Sequence, residues 1–368
     1  MQPMQPNNDL ANNLQMRQVL LATAIRGSKK LGTFTETAEG STTRIKLFNV
    51  GVVTKLRMLV TINVDIGTAT ATLSPKAPFN SIKQLRLTDY EGTDRVNLTG
   101  YQLWQINSVR KRAPAFINNE GLADVSALPS TPVGVGAGQD IQFYMEVPLA
   151  FNDENDLRGA ILAQTALGEM FLNVTWNDDF HQNGNDDGVY NGAGTSTVAV
   201  NSISVDVYQD YLMPQVIGDQ TPLPLVDLIT VYELNGNLKV TDNLSNGQQR
   251  LISYPNVRNV IGAYVNWQNN GILSNSISEF KLIANGNNIL RENGLQTQLM
   301  DQRGWIHGDL KTGGFFMQHR ARPIETSQFG NVQWGLTLNA APTGDFYLEQ
   351  AFESMFAKGS TLPGIEQG

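Results

Sequence analysis

The chain has three imidazoles, His181, His307 and His319, and none stands at a spacing from another that suits a shared metal. Each therefore reads as a surface or structural residue. Two acidic runs, Asn177-Asp178-Asp179 and Asn185-Asp186-Asp187-Gly188, offer hard oxygen donors for calcium. They lack the EF-hand register and its closing Glu, so a solvated acidic loop is the simpler reading. Asp153, Glu154 and Asp156 resemble a glycosidase pair in composition only. With Asn152 and Asn155 beside them, they fit a turn that caps the segment Leu157–Gln164. The basic run Arg110-Lys111-Arg112 ahead of Pro114 suits the C-terminal end of a helix or an interface patch. Gly134, Gly136 and Gly138 lack the Lys-Ser/Thr that would make a phosphate loop, and no Gly-x-Ser-x-Gly elbow occurs. There is no cysteine, which removes disulfides, thiolate ligands and cysteine nucleophiles. The expectation is a protein with no catalytic centre, no metal and no cofactor.

The elements that surround these residues are mostly strands. Thr42–Leu47, Val52–Ile66, Ile141–Val147, Glu169–Trp176 and Ile203–Tyr211 carry the β-branched, partly alternating texture of half-buried strands. Arg250–Ser253, Val260–Trp267, Ser276–Ile283, Gly313–Met317, Val332–Leu338 and Asp345–Phe352 continue it. Two long Gly- and Asn-rich stretches, Asn118–Gln139 and Asn177–Gly194, read as exposed loops. Between the two sets of strands, Pro214–Leu238 breaks the pattern and reads as a connector with a short helix at Leu225-Val226-Asp227-Leu228-Ile229.

One phrase occurs twice. Ser81-Ile82-Lys83-Gln84-Leu85-Arg86-Leu87 is echoed by Ser276-Ile277-Ser278-Glu279-Phe280-Lys281-Leu282, each followed by a turn glycine (Gly92, Gly286) and a second glycine (Gly100, Gly294) that opens a Gln- and Leu-bearing segment. Ile203–Tyr208 and Phe346–Ala351 form a second echo near the end of each half. A chain of 368 residues exceeds the usual single core, so the echoes fit one β-fold used twice. The expected division is an arm at 1–30, a first β-domain at 31–213, the connector at 214–238, a second β-domain at 239–357 and a tail at 358–368.

Charged residues are only 16% of the chain and its formal charge is -8, which argues against direct nucleic-acid binding. The arm differs: residues 1–30 carry Arg17, Arg26, Lys29 and Lys30 against one acid, Asp9. Leu10, Leu14, Arg17, Leu21 and Ala24 fall at helical spacing after Asp9 as N-cap, so the arm reads as an amphipathic helix ended by Gly27. Val19-Leu20-Leu21 before Ala22-Thr23-Ala24 has the outline of a signal-peptide cleavage site. Its apolar run is too short and the stretch before it too polar for that reading.

Several longer phrases converge on one family. They are Asn13-Leu14-Gln15-Met16-Arg17-Gln18, Val147-Pro148-Leu149-Ala150-Phe151 and Asp156-Leu157-Arg158-Gly159-Ala160-Ile161-Leu162-Ala163. The series continues with Val207-Tyr208-Gln209-Asp210-Tyr211-Leu212, Leu223-Pro224-Leu225-Val226-Asp227-Leu228 and Gln328-Phe329-Gly330-Asn331-Val332. Together they resemble the double jelly-roll major capsid proteins of tectiviruses, tailless icosahedral phages with a membrane beneath the shell, and they stand in that family's order across nearly the whole chain, while the loops and residues 240–275 depart from it.

The resemblance implies an all-β fold of two tandem jelly rolls with an N-terminal helix and short inserted helices. It also implies homotrimers that act as pseudo-hexagonal capsomers of an icosahedral shell, assembled in the host cytoplasm. Its implied partners are other copies of the chain, vertex and minor capsid proteins, and the internal viral membrane. Leu10, Leu14, Arg17, Leu21, Arg26, Lys29 and Lys30 are the candidate assembly and membrane-facing residues. A jelly-roll carbohydrate-binding or receptor-binding spike protein is the competing class, and a β-sandwich hydrolase a third. The first predicts exposed aromatics. Trp104, Trp176, Trp267, Trp305 and Trp334 instead fall in predicted strands or helical segments, where core packing is their simpler role.

Overall fold

A computed structural model of the chain describes residues 6–67, 70–110, 128–131, 138–164, 168–192, 198–217, 221–241, 249–253, 259–286, 288–294, 314–318, 323–341, 343–344 and 346–357. Helix α1 (Pro6–Thr23) comes first. The strands that follow are β1 (Ile25–Glu36), β2 (Thr42–Lys46), β3 (Val52–Ile66), β4 (Ile82–Thr88) and β5 (Asp94–Leu98). After α2 (Gly100–Val109) come β6 (Gln139–Pro148), β7 (Ile161–Leu162), β8 (Phe171–Trp176) and β9 (Val198–Met213). A short α3 (Leu225–Ile229) leads into the second half: β10 (Thr230–Thr241), β11 (Gln249–Ser253), β12 (Asn259–Asn269), β13 (Ile272–Leu273), β14 (Ile277–Ala284) and β15 (Asn288–Gly294). The last strands are β16 (Gly314–Gln318), β17 (Ile324–Glu325), β18 (Val332–Leu338) and β19 (Phe346–Ala357).

Alternation in β3 is strict from Lys55 onward, and its inward residues Leu56, Met58, Val60, Ile62 and Val64 are fully buried. They face Leu85, Leu87, Leu172 and Val174 of the opposing sheet in one core. The first half is thus a sandwich of β1-β9-β3-β6 on β2-β8-β4-β5. The second half repeats the order with β10-β19-β12-β16 on β11-β18-β14-β15 and has a core of its own around Trp267, Phe280, Trp334 and Phe346. This is the double jelly roll, all-β apart from its short helices.

The repeated phrases occupy equivalent places. Strand β4 lies between β8 and β5, and β14 between β18 and β15; β9 lies between β1 and β3, and β19 between β10 and β12. Gly92 and Gly286, the turn glycines of the echo, both hold positive φ (+83° and +80°), which a side chain would strain. Gly100 opens α2 as expected, while the segment after Gly294 lies outside the described residues.

The two rolls are fused through a sheet. Strand β5 of the first pairs in parallel with β10 of the second at Leu234↔Val96 and Asn235↔Asn97, giving one ten-stranded sheet. Helix α2 is wedged between the rolls and buried along its whole length. Thr99 caps it, accepting from the Gln102 amide while the Gln102 side chain accepts from the Thr99 N–H. Gln102 then donates to the Gln350 carbonyl (3.0 Å), and Gln105 exchanges amide hydrogen bonds with Asn266 (2.5 and 2.7 Å).

Two expected boundaries move. The arm ends sooner than 1–30, because β1 begins at Ile25 and pairs with β9 from Ile25↔Met213. The connector is shorter than 214–238, because residues from Thr230 onward form β10. Its helix lies where the sequence places it.

Candidate assembly surface: the arm helix and its anchor

Helix α1 is rich in Asn and Gln and has little intrinsic drive to fold, so its stability must come from docking. Its inward face is Asn13, Arg17 and Leu20, spaced four and three residues apart. Leu20 is fully buried among Val52, Ala150, Leu157, Ala160, Leu212 and Leu228. Asn13 accepts from the Val226 N–H (2.9 Å) and donates to Asp227 Oδ1 (2.8 Å), holding the first turn of α3. Arg17 completes the anchor with a fork on Asp227, Nε to Oδ2 at 2.5 Å and Nη2 to Oδ1 at 2.6 Å. The Asp227 side chain is 1% exposed and that of Arg17 13%. Asp156 adds a longer contact to Arg17 (3.7 Å) and is itself paired with Arg158 (2.6 Å). Hydrogen bonding to Asp227 raises the Arg17 pKa despite the opposing effect of burial, so the guanidinium stays charged.

The candidate residues separate. Arg17 is in the anchor, and Leu21 packs partly buried against the Leu20 cluster. Leu14 points outward, 44% exposed. Leu10 lies on α1, but its side chain is outside the described residues. Arg26, Lys29 and Lys30 are not on the helix at all. They sit on the edge strand β1, where Lys29 stacks 3.5 Å over the Phe48 ring and Lys30 pairs with Asp206 (3.0 Å). The amphipathic face drawn through Leu10, Leu14 and Leu21 is therefore corrected to one centred on Asn13, Arg17 and Leu20. An apolar count could not find it, because two of its three members are polar and are buried only by partners more than 200 residues away.

The other candidates for chemistry resolve into structure. Arg110, first of the basic run, is buried between the rolls, donating to the Tyr232 hydroxyl (2.6 Å) and the Phe151 carbonyl and lying 3.6 Å from Glu353. Lys111 and Arg112 are outside the described residues. Asp153 pairs with Lys55 (3.0 Å), and the backbones of Asn152 and Asp156 close a turn. Of the acidic loop, Asp178 takes Lys83 (2.6 Å) and Asp187 takes Lys76 (2.7 Å). Asp186 is fully buried, accepting from the Leu273 N–H (2.7 Å) and Asn191 (2.5 Å). The expectation that 177–194 is simply an exposed loop is corrected: among its described residues, Phe180, Asp186, Val189 and Tyr190 are buried, while Asp178, Asp179, Asp187 and the tip at Asn183-Gly184 are exposed. His181 lies 3.2 Å from the Gly192 carbonyl, whereas His307, His319 and most of 118–139 lie outside the described residues. Trp176, Trp267 and Trp334 are fully buried and Trp104 is 9% exposed; Trp305 is outside the described residues.

Residues 4–215, the arm and first roll, match the model of the P3 major capsid protein N-terminal domain. The chain belongs to this capsid protein family. It is 26% identical over 347 residues to the major capsid protein P3 of Enterobacteria phage PRD1, covering 88% of this chain and 86% of that one. The fold matches a chain of the atomic structure of Sulfolobus turreted icosahedral virus with a TM-score of 0.68 at 14% identity, covering 90% of this chain and 91% of that chain. It also matches the major capsid protein P2 of bacteriophage PM2, TM-score 0.52 at 9% identity, over 92% of this chain and all of the other (100%). As a major capsid protein, the chain is a structural component of a virion. The capsid role accounts for a molecule whose polar clusters join its own two rolls, and it displaces the spike or carbohydrate-binding reading of the whole protein.

Proposed function

We propose that the chain is the repeating coat subunit of an icosahedral shell, working as a homotrimer with a pseudo-hexagonal outline over an internal membrane. The observation that carries this reading is the duplication: two rolls of identical strand order stand side by side on one fused sheet. Three such chains present six similar lobes, and a threefold rotation closes the ring through heterologous contacts. A low content of charge fits broad association surfaces, whose centres are depleted of charged residues. Stability of the shell then comes from burial repeated at every subunit contact.

In this reading the arm end of the molecule faces inward. Leu14, Ile25, Val216, Leu225 and Ile229, all at or near that end, are exposed apolar groups, and Arg26 and Lys29 add positive charge. Such a surface suits neighbouring subunits, minor capsid proteins or an anionic membrane. Helix α1 is a docked spacer that carries Leu14 outward while Arg17 and Leu20 hold it to its own chain.

Native mass spectrometry of the purified protein tests the assembly, with trimers expected at micromolar concentration and hexagonal outlines in negative stain. A stable monomer under those conditions overturns it. For the inward surface, Leu14→Glu with Leu225→Glu is expected to leave trimers intact and to lower the yield of membrane-containing particles. Normal particle yield overturns that assignment.

A further inference from the structure

Asn183, Asn191, Asn235, Asn270 and Asn285 each precede a glycine. An Asn-Gly pair is open to an internal reaction, because glycine has no Cβ to shield its amide nitrogen from the carbonyl carbon of the asparagine side chain. The fold treats the five differently. Asn191 donates to Asp186 (2.5 Å), and Gly192 packs against Thr72. Asn235 lies in the fused sheet, paired with Asn97 and Phe352, and donates to Glu233 (3.0 Å). Asn270 and Asn285 stand in left-handed turns, at φ +52° and +51°. After the first, Gly271 is buried and its carbonyl accepts from the Asp186 N–H (2.8 Å). In the second, Asn285 Oδ1 accepts from the Gly330 N–H (2.9 Å), which ties the side chain away from its own glycine.

Asn183 is exposed, and its side chain has no hydrogen-bond partner among the described residues. Gly184 is exposed too, with nothing within 4 Å of where a Cβ would stand. A β-turn closed by the Asn185 N–H on the Gln182 carbonyl (3.1 Å) presents the pair, with Gly184 at φ +71° in its third position. The amide of Gly184 is held by one surface hydrogen bond, to the Asn191 carbonyl (3.1 Å). The tip therefore opens at low cost while Asp186, Val189 and Tyr190 keep the flank buried.

We propose that Asn183 is a site of spontaneous covalent modification, converting to aspartate and isoaspartate in the folded protein. When the tip opens, the Gly184 backbone nitrogen gives up its proton and attacks Asn183 Cγ. The new N–C bond closes a five-membered succinimide, the bond from Cγ to the side-chain nitrogen breaks, and that nitrogen leaves as ammonia. Water then opens the ring at one of its two carbonyls, so one water is consumed for each ammonia released. Either product adds a negative charge to a loop that already exposes Asp178, Asp179 and Asp187. The isoaspartate product also lengthens the backbone inside the turn that Gln182 and Asn185 close. The charge appears at the end of the molecule opposite the arm. Asp187 accepts from Gln268 (3.1 Å), close to the β12 and β19 ends joined at Asn269↔Phe346, whereas α3 adjoins the far end at Thr230↔Ala357. That this end lies outside the shell rests on the inward placement of the arm; the reaction itself does not, and its failure would leave the coat assignment untouched.

The test keeps the intact folded protein at mildly alkaline pH for weeks and follows each asparagine by peptide mapping, with enzymatic methyl labelling to separate isoaspartate from aspartate. The Asn183 peptide is expected to gain about 1 Da per converted residue. It should do so on the order of tenfold faster than the peptides of Asn191, Asn235, Asn270 and Asn285. In concentrated guanidinium, where no turn or hydrogen bond distinguishes the pairs, the five should convert at similar rates. Absence of conversion at Asn183 in the folded protein overturns the proposal. So does conversion of any of the other four as fast as Asn183, or a lead for Asn183 that persists unchanged in guanidinium, which would assign the rate to its sequence neighbours and not to the fold.

Discussion

Arg17→Leu isolates the anchor that holds the arm. The substitution keeps apolar bulk but leaves the Asp227 carboxylate, 1% exposed, with Asn13 as its remaining side-chain donor. Removing one partner of a buried pair costs about 3–5 kcal/mol. Because the Arg17 side chain retains 13% exposure, the low end applies, about 3 kcal/mol. The loss falls first on docking of α1, since the rolls have cores of their own. In opening equilibrium this corresponds to a change on the order of 100-fold. Hydrogen exchange followed by mass spectrometry reads it directly: amides of residues 13–24 should exchange on the order of 100-fold faster, while β3 and β12 stay protected. Asp227→Leu alone should accelerate exchange similarly. The double variant should recover about 2 kcal/mol, because an apolar pair of similar volume replaces the buried ions without leaving one stranded. Unchanged exchange in Arg17→Leu, or strictly additive effects in the double variant, would refute the reasoning.

Four further outcomes follow, three of them from buried groups elsewhere. Burial raises the pKa of Tyr101, Tyr144 and Tyr190 above the ordinary 10.0, so the stability they contribute is complete below pH 10 and is lost as pH rises through their folded values. Thermal melts between pH 9 and 12 should show a falling Tm, with tyrosinate absorbance from these rings appearing only on unfolding; ionisation before unfolding would contradict this. Arg110→Leu removes a cation 3.6 Å from Glu353, which is fully buried between the rolls, and should cost about 3 kcal/mol in calorimetric unfolding, whereas a loss below about 1 kcal/mol would mean that the hydrogen bonds from Tyr232 and Tyr264 suffice. Asp186→Ala removes the acceptor of the Leu273 N–H and should cost about 1–3 kcal/mol. A short epitope inserted at Gly184, whose surroundings are open, should leave Tm unchanged, and the reverse order of effects would contradict the division of that loop into buried flanks and exposed tip.

The amino-acid sequence by itself determined the strands whose alternation is strict and the duplication that relates them. Val52–Ile66 is legible because every second side chain must enter one core, and the echo at Ser81 and Ser276 marks equivalent strands because the same position in the same fold sets the same burial pattern. It also carried the family phrases. Strand β1 was not legible: it lies on a sheet edge, mostly exposed, so no apolar period marks it and its Gly27, Lys29 and Lys30 read as the end of an arm. Strand β10 failed for the opposite reason. Thr230–Leu234 is buried without alternation, because one sheet face meets α2 and the other roll, and a Pro-rich lead conceals its start. Only the tertiary structure decided which polar residues are internal. Asn13 and Arg17 look like a solvated helix face, and Arg110 like a surface charge. Each is buried because its partner, Asp227 or Glu353, arrives from the other half of the chain, and no local pattern records a contact made across that distance.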